Sequence, residues 1–444
     1  MHPKRLPKVI DDLTMNELMP PLLMSEGQLL IGKSEIVELA SSYGTPAYIT
    51  DEQRVRHNCR RLIAAFAKNY RKFRLNYAVK ANNNLAILNI VRQEGAGADC
   101  SCIEELTLAT LAGFGSEQLL YSGNYNSDYE LAQGIEFGAP VNLDDAAILP
   151  RLLKYGKPEV LSFRVNPGVG KGEYPGLVFG GENTKFGVEE SEIVHAYAKA
   201  KESGIKRFGI HMMTGSNVLN LDYFVSVTRK LFETAEKISR EVGLTFEFVD
   251  IGGGFGVPYR PNESPLDIET LGSRVSTLFK EFVEKNEIGD PYLMIEPGRF
   301  VVSDSTVLLG RVHHIKKVGT KVFVGTDIGM NTILRPALYG AYHHIYVANS
   351  RPLAKPESVV TVTGQVCENT DVLAKDRPLP HMQVGDVIVV MNTGAYGYAM
   401  ASQYNSRPRA VEILVNDGQA ETIRERETVI DLMSRQRVPM RLLR

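Results

Sequence analysis

Cysteine is scarce in this sequence: four in 444 residues, at Cys59, Cys100, Cys102 and Cys367. That is too few for a disulfide framework in so long a chain. Cys100-x-Cys102 is a single pair with no second one to complete a zinc pattern, so no metal site is expected. A reducing cytoplasm is the compartment such usage implies. Long apolar runs are missing too, and none approaches the roughly 20 residues a membrane span needs. Neither charge sign dominates, with 50 Lys and Arg against 52 Asp and Glu. Neither nucleic acid nor an anionic membrane is therefore favoured as a partner. Lys4, Arg5 and Lys8 precede no uninterrupted apolar segment, which argues against a secretory leader. Internal repeats, low-complexity tracts and Gly/Ser linkers are absent. What is present is a chain, 43% hydrophobic, able to bury a large core and expected to form two closely packed domains.

From about residue 45 to residue 300, apolar β-type runs alternate with longer helical stretches. Eight runs qualify as strands: Arg74–Val79, Ala98–Cys102, Leu119–Ser122, Pro140–Leu143, Val160–Val165, Arg207–Met212, Phe246–Ile251 and Tyr292–Ile295. Helical segments such as Asp51–Asn69, Ile103–Ala112, Ser191–Ser203 and Leu221–Val242 lie between or before them. Eight strand-then-helix units predict a closed (β/α)8 barrel, with a doubly wound sheet as the alternative, because alternation alone does not show closure. After Phe300 the segments Thr306–Lys316, Lys321–Thr326, Ser358–Thr363 and Asp386–Met391 are short, β-rich and punctuated by Gly, Pro and Asp. They predict a mostly antiparallel β-domain.

In such barrels reactive groups gather where strands end. Lys80, in YAVKAN (77–82), closes the first strand. It is either a surface lysine or a desolvated amine of the kind that forms Schiff bases with carbonyls. Asn82 follows it. Asp99 and Glu105 attend strand two, and Gly123-Asn124 follows strand three. Asn142 and Asp144 close strand four, and Arg164 to Gly168 close strand five. His211, Thr214, Gly215 and Ser216 follow strand six, Gly252 to Gly256 strand seven, and Glu296-Pro297-Gly298-Arg299 strand eight.

The glycine run lets backbone N–H groups approach an anion unobstructed, making a nest for phosphate, to which Arg299 would add a cation. A tight turn is the commoner use of such a run. His211 reads either as a hydrogen-bonded core histidine or as an imidazole able to stack on a planar ring. Glu296 could pair with a protonated ring nitrogen. Amine, nest and carboxylate together describe pyridoxal 5′-phosphate. In the β-domain, Cys367 stands beside Glu368 and Asp371, whose carboxylates are expected to raise its thiol pKa and make it a positioned proton donor. Otherwise it is a small buried apolar residue.

These motifs together resemble the fold type III, alanine-racemase-like pyridoxal-phosphate decarboxylases, and among them the diaminopimelate decarboxylases. The matching blocks run along nearly the whole chain from about residue 45. They include YAVKAN (77–82), GNYNSDYEL (123–131), RVNPG (164–168), TKFG (184–187), GGGFG (252–256) and EPGR (296–299). Further on come RPALYGAYH (335–343), CENTD with LAKDR (367–377) and GAYGYAMASQYNSRPR (394–409), the last the longest and most specific.

The resemblance implies a barrel over 46–300 and a β-domain from 1–45 and 301–444. It implies an obligate homodimer with shared active sites, and decarboxylation of meso-2,6-diaminopimelate to L-lysine. Lys80 would carry the cofactor, His211 stack on its ring and Glu296 meet its nitrogen. Ser216, Gly253, Gly254 and Arg299 would hold the phosphate, and Gly298 would also line the cofactor. Tyr396 would touch cofactor and substrate. Arg299, Arg335 and Tyr339 would take the distal carboxylate. Cys367 and Glu368 would reach the partner's site, the first as proton donor and the second against the distal ammonium.

Two blocks depart from the family pattern. Where the family has HIGSQ, this chain has the longer His211-Met212-Met213-Thr214-Gly215-Ser216-Asn217, and CESGD is replaced by CENTD. Both departures bear on the substrate, so a decarboxylase of D-lysine or D-ornithine is the close alternative. A catalytically silent relative that binds the cofactor is a further one. A racemase would leave the cysteine block without a role.

Overall fold

The structure, a computed structural model, describes residues 18–181, 184–348 and 356–443. The N-terminal residues examined for a leader, Lys4, Arg5 and Lys8, lie outside these. The chain divides into two compact units.

The first unit, Arg54–Pro258 with Glu263–Val302, is the barrel. Its strands are β1 (Phe73–Ala78), β2 (Gly97–Cys100), β3 (Leu119–Tyr121), β4 (Val141–Leu143), β5 (Leu161–Asn166), β6 (Phe208–Met212), β7 (Phe246–Asp250) and β8 (Tyr292–Ile295). Each neighbour pairs in parallel, and β8 pairs back with β1 to close the ring. Because helices cover the outside and side chains fill the inside, strands need no alternation of polar and apolar residues. Gly97–Cys100 and Phe208–Met212 are accordingly buried at every position.

The helices supply the outer layer. Leu221–Ile238 starts where the Asn220 side chain accepts the Tyr223 amide at 2.8 Å, and it buries Phe224, Thr228, Leu231, Phe232, Ala235 and Ile238 at three- and four-residue spacing. Inside the barrel, Leu120, Val160, Phe248 and Met294 form an apolar plug. Strand register sets a polar level as well: His211 on β6 is level with Arg164 on β5 and Asp250 on β7.

The second unit contains the described parts of Met1–Gln53, Tyr259–Asn262 and Ser303–Arg444. Its central strand, Thr306–Val318, pairs antiparallel with Ala47–Asp51, Lys321–Thr326 and Val387–Val390. Two pairings are parallel: Lys321–Thr326 with Ser358–Thr363, and Ala47–Asp51 with Val411–Asn416. The sheet packs two cores, one on each face. Val307, Leu309, Val387 and Val389 enter one core, and Leu308, Ile388 and Val390 the other. A strand buried on both faces reads as an unbroken apolar run for that reason. The boundary expected at residue 46 therefore moves. Ala47–Asp51 is a strand of this unit, because its partners Thr306–Val318 and Val411–Asn416 lie far along the chain, where local periodicity carries no information.

Candidate active site

Lys80 lies in a single 3-10 turn, Val79–Ala81, directly after β1. Its side chain is 43% exposed at the barrel mouth, with Nζ 2.7 Å from Oδ2 of the fully buried Asp99. Parallel pairing puts Asp99 level with Ala78, so the carboxylate waits beside the turn. Burial pushes the Asp99 carboxyl up, the Glu296 charge adds to this, and the Lys80 ammonium opposes it.

Glu296 follows β8 and is buried. Burial alone would raise its carboxyl, but His211 first, then Lys80 and Arg164, hold it below the usual carboxylate range. Its Oε2 lies 3.0 Å from His211 Nε2, while Oε1 is buried with no hydrogen-bond partner. The other imidazole nitrogen, Nδ1, is 3.2 Å from Asn142 Nδ2, and the Ser162 hydroxyl donates to Asn142 Oδ1 at 2.8 Å. Both edges of the His211 ring are thus engaged by the barrel wall.

Asp250 Oδ1 accepts the Gly252 amide at 2.8 Å. Burial, then the Glu296 charge, pushes the Asp250 carboxyl well above its ordinary value. Asp250 Oδ2 and Glu296 Oε1 make no hydrogen bond in good geometry, yet the two carboxyls are close enough that the charge of Glu296 and contact with its carboxylate both favour a proton on Asp250. His211, Asp250 and Glu296 each offer a donor atom within 4.8 Å of the others, a grouping that a cation could also use. Two of the available atoms, His211 Nε2 and Glu296 Oε2, are spent on each other.

The glycine run is shaped by close approach. Gly254 takes a left-handed φ of +91°, and a Cβ there would lie 2.5 Å from the Gly215 carbonyl; at Gly253 a Cβ would lie 2.1 Å from the Glu296 carbonyl. Not every amide of the run is open. Gly253 N–H points at Met213 Sδ at 3.3 Å, and Gly256 N–H at the Val218 carbonyl at 3.0 Å. Among the described residues, Gly254 keeps the unspent glycine amide. Ser216, on a two-residue strand paired with Lys171–Gly172, receives Arg299 Nη2 at 3.2 Å. At Gly298 a Cβ would lie 2.8 Å from that of Ala81, so glycine lets the chain pass beside the Lys80 turn.

Other rim residues turn to local work. Asn82 Oδ1 accepts the Asn84 amide at 3.0 Å, Glu105 Oε2 the Ser101 amide at 2.7 Å, and Asn166 Oδ1 the Gly181 amide at 2.9 Å. Arg164 stays with the rim, facing Asp144 at 3.6 Å and donating to the Phe179 and Met213 carbonyls, both at 3.2 Å.

In the second unit, Arg335 opens the short helix Arg335–Tyr339 and is buried. It donates to His343 Nε2 at 2.8 Å and lies 4.7 Å from the centre of the Tyr259 ring. His343 Nδ1 donates to the Met391 carbonyl at 2.8 Å, which leaves Nε2 to accept. Tyr339 and Tyr396 are half-buried, and Tyr396 has a left-handed φ of 58°. Cys367 and Glu368 are exposed, with Asn405 Nδ2 2.9 Å from the Cys367 sulfur. Asp371 does not flank the thiol as expected. Its buried carboxylate instead receives the Met330 amide at 2.6 Å and the Val366 amide at 2.7 Å, and so ties loop backbones together.

Sequence reasoning passed over Asp250, Met213 and His343. An acidic residue ending the strand Phe246–Asp250, directly ahead of the glycine run, was the available signal for Asp250. For Met213 the signal was its place in the block that departs from HIGSQ, two residues before Gly215.

Residues 56–303 match the family described as pyridoxal-dependent decarboxylase, pyridoxal binding domain, and the chain belongs to it. The protein is accordingly a pyridoxal-phosphate-dependent amino-acid decarboxylase. It is 46% identical over 421 residues to a diaminopimelate decarboxylase of Methanothermobacter thermautotrophicus, covering 94% of this chain and 98% of the relative. A diaminopimelate decarboxylase of Archaeoglobus fulgidus is 40% identical, over 94% of this chain and 99% of that one. Among solved structures, diaminopimelate decarboxylase from M. jannaschii in co-complex with L-lysine superposes with a TM-score of 0.87, at 33% identity over 95% of this chain and 99% of its own.

Proposed function

We propose that this enzyme decarboxylates meso-2,6-diaminopimelate at its D-centre, giving L-lysine and carbon dioxide, as a cytoplasmic homodimer with shared active sites. One observation carries the chemistry: at a single barrel rim, an amine, a glycine loop backed by Arg299, and a buried carboxylate with an unspent oxygen stand together. Pyridoxal 5′-phosphate presents an aldehyde, a phosphate and a pyridine nitrogen, and each finds a complement in that set. The relative solved with L-lysine supports a substrate of this size and charge. The four cysteines are free thiols, in keeping with a reducing compartment.

When bound, the cofactor supplies an electron sink for the bond between Cα and its carboxylate. The remaining tasks fall to this chain's residues. Lys80 Nζ is the attachment point, and Asp99 orients it. Glu296 Oε1 would meet the ring nitrogen, and its charge, kept despite burial, would favour a proton there. His211 fixes Oε2 and so aims Oε1. Ser216, Arg299 and the Gly254 amide take the phosphate, and Gly253 and Gly298 contribute by leaving room for the backbone. Arg335 and Tyr339 bind the distal carboxylate, with Tyr396 at cofactor and substrate. From a second copy, Glu368 meets the distal ammonium, and Cys367 Sγ delivers a proton to Cα after carbon dioxide has left.

The test is carbon dioxide release by the purified protein from meso-diaminopimelate, D-lysine, D-ornithine and their L-forms. Preference for meso-diaminopimelate is expected. Faster turnover of D-lysine or D-ornithine would replace this reading with a D-diamino-acid decarboxylase. Absence of both turnover and a yellow cofactor band would leave the assignment without support.

A further inference from the structure

We propose that Met213, and not His211, covers one face of the cofactor ring, a proposal that rests on the cofactor reading above. His211 is a strand residue, 2% exposed, with Nε2 3.0 Å from Glu296 Oε2 and Nδ1 3.2 Å from Asn142 Nδ2. A group bonded through its edge to the carboxylate that meets the ring nitrogen lies beyond the ring's edge, not over its face. His211 is therefore a positioning residue for Glu296.

Met213 emerges from the end of β6 at the rim and is only half-buried. Its carbonyl is held by Arg164 Nη2 at 3.2 Å, and its sulfur receives the Gly253 amide at 3.3 Å. The side chain lies along the glycine loop: a Cβ added at Gly252 would be 3.2 Å from Sδ, and one at Gly254 would be 3.8 Å from the terminal methyl. A polarizable thioether is thus anchored at both ends on the wall of the cofactor site, between β6 and the nest. Thioethers make favourable contacts with aromatic rings, and this one carries no titrating proton.

Chain counting agrees with the geometry. Gly215 and Ser216 are fixed by pairing with Lys171 and Gly172 and by the Arg299 bond. The histidine of the HIGSQ block stands two places before its glycine, and two places before Gly215 is Met213.

Mild peroxide oxidation of the holoenzyme and of the protein stripped of pyridoxal phosphate, read by peptide mass spectrometry, tests this directly. Bound cofactor should protect the Met213 sulfur several-fold, while Met440, 81% exposed, oxidises equally in both forms. Equal oxidation of Met213 in the two forms overturns the proposal. A second measurement decides the matter if Met213 resists peroxide in both. Met213→Ala should weaken pyridoxal-phosphate binding by roughly 2- to 10-fold and shift the visible band of the bound cofactor, and Met213→His should restore both. An unchanged dissociation constant and band in Met213→Ala overturn the proposal. Wild-type protein that takes up no cofactor overturns the functional reading itself, an outcome distinct from a loaded enzyme whose Met213 is unprotected.

Discussion

Replacing Asp250 with asparagine removes one ionisable group from the buried cluster and keeps its shape, because Oδ1 can still accept the Gly252 amide. In the folded protein this carboxyl is pushed well above its ordinary value by burial and by the Glu296 charge. The sign follows from proton linkage. A raised folded-state value means the native protein holds the proton longer than the unfolded chain does. The group is harmless below its unfolded range and costs stability progressively as pH rises toward the folded value. The electrostatic part is set by distance. Two carboxylate charges within 4.8 Å repel by at least about 3 kcal/mol at an effective dielectric near 20. Asparagine pays none of it.

For Asp250→Asn in the cofactor-free protein, the melting temperature should therefore rise relative to wild type, and the gain should grow as pH rises above the unfolded carboxyl range near about 4. At roughly 2–4 °C per kcal/mol for a domain of this size, the gain at the alkaline end reaches up to about 6–12 °C. Scanning calorimetry of both proteins at rising pH is the assay. A gain that stays constant or shrinks with rising pH would refute the reasoning, since it would mean Asp250 is ionised in the folded state without penalty.

Three further outcomes follow from the same structure. Gly254→Ala forces a side chain onto a φ of +91° and 2.5 Å from the Gly215 carbonyl, so cofactor retention should fall at least about tenfold in a spectroscopic titration. Arg335→Ala should lower kcat/KM for meso-diaminopimelate by some hundred- to several thousand-fold, from roughly 3–5 kcal/mol, and affect D-lysine far less. Equal losses on both would make Arg335 a structural partner of His343 and Tyr259. Lys80→Ala and Cys367→Ala should each be nearly inactive, yet their mixture should recover up to about a quarter of wild-type activity if subunits exchange and share sites; no recovery after demonstrated exchange would place both residues in one chain's site.

The eight barrel strands were legible because parallel strands buried on both faces are short apolar runs, and each lies within about two residues of its expected bounds. The rim chemistry was legible for a related reason: a polar residue that ends such a run is conspicuous, as Lys80, His211 and Glu296 are. Ala47–Asp51 was misread, because its local pattern fits either unit and only pairing with Val411–Asn416 decides between them. Asp371 looked like a neighbour of Cys367 in sequence, whereas folding turns its carboxylate to the Met330 and Val366 amides. The sequence by itself determined which residue types stand at the barrel rim and in what order. Which of them touch was decided by register and by close backbone approach: His211 bonded to Glu296 through its edge, Asp250 brought within reach of both, and Met213 drawn onto the glycine loop. Those contacts join segments from different strands, and electrostatics and sterics between such segments exist only once the ring of strands has closed.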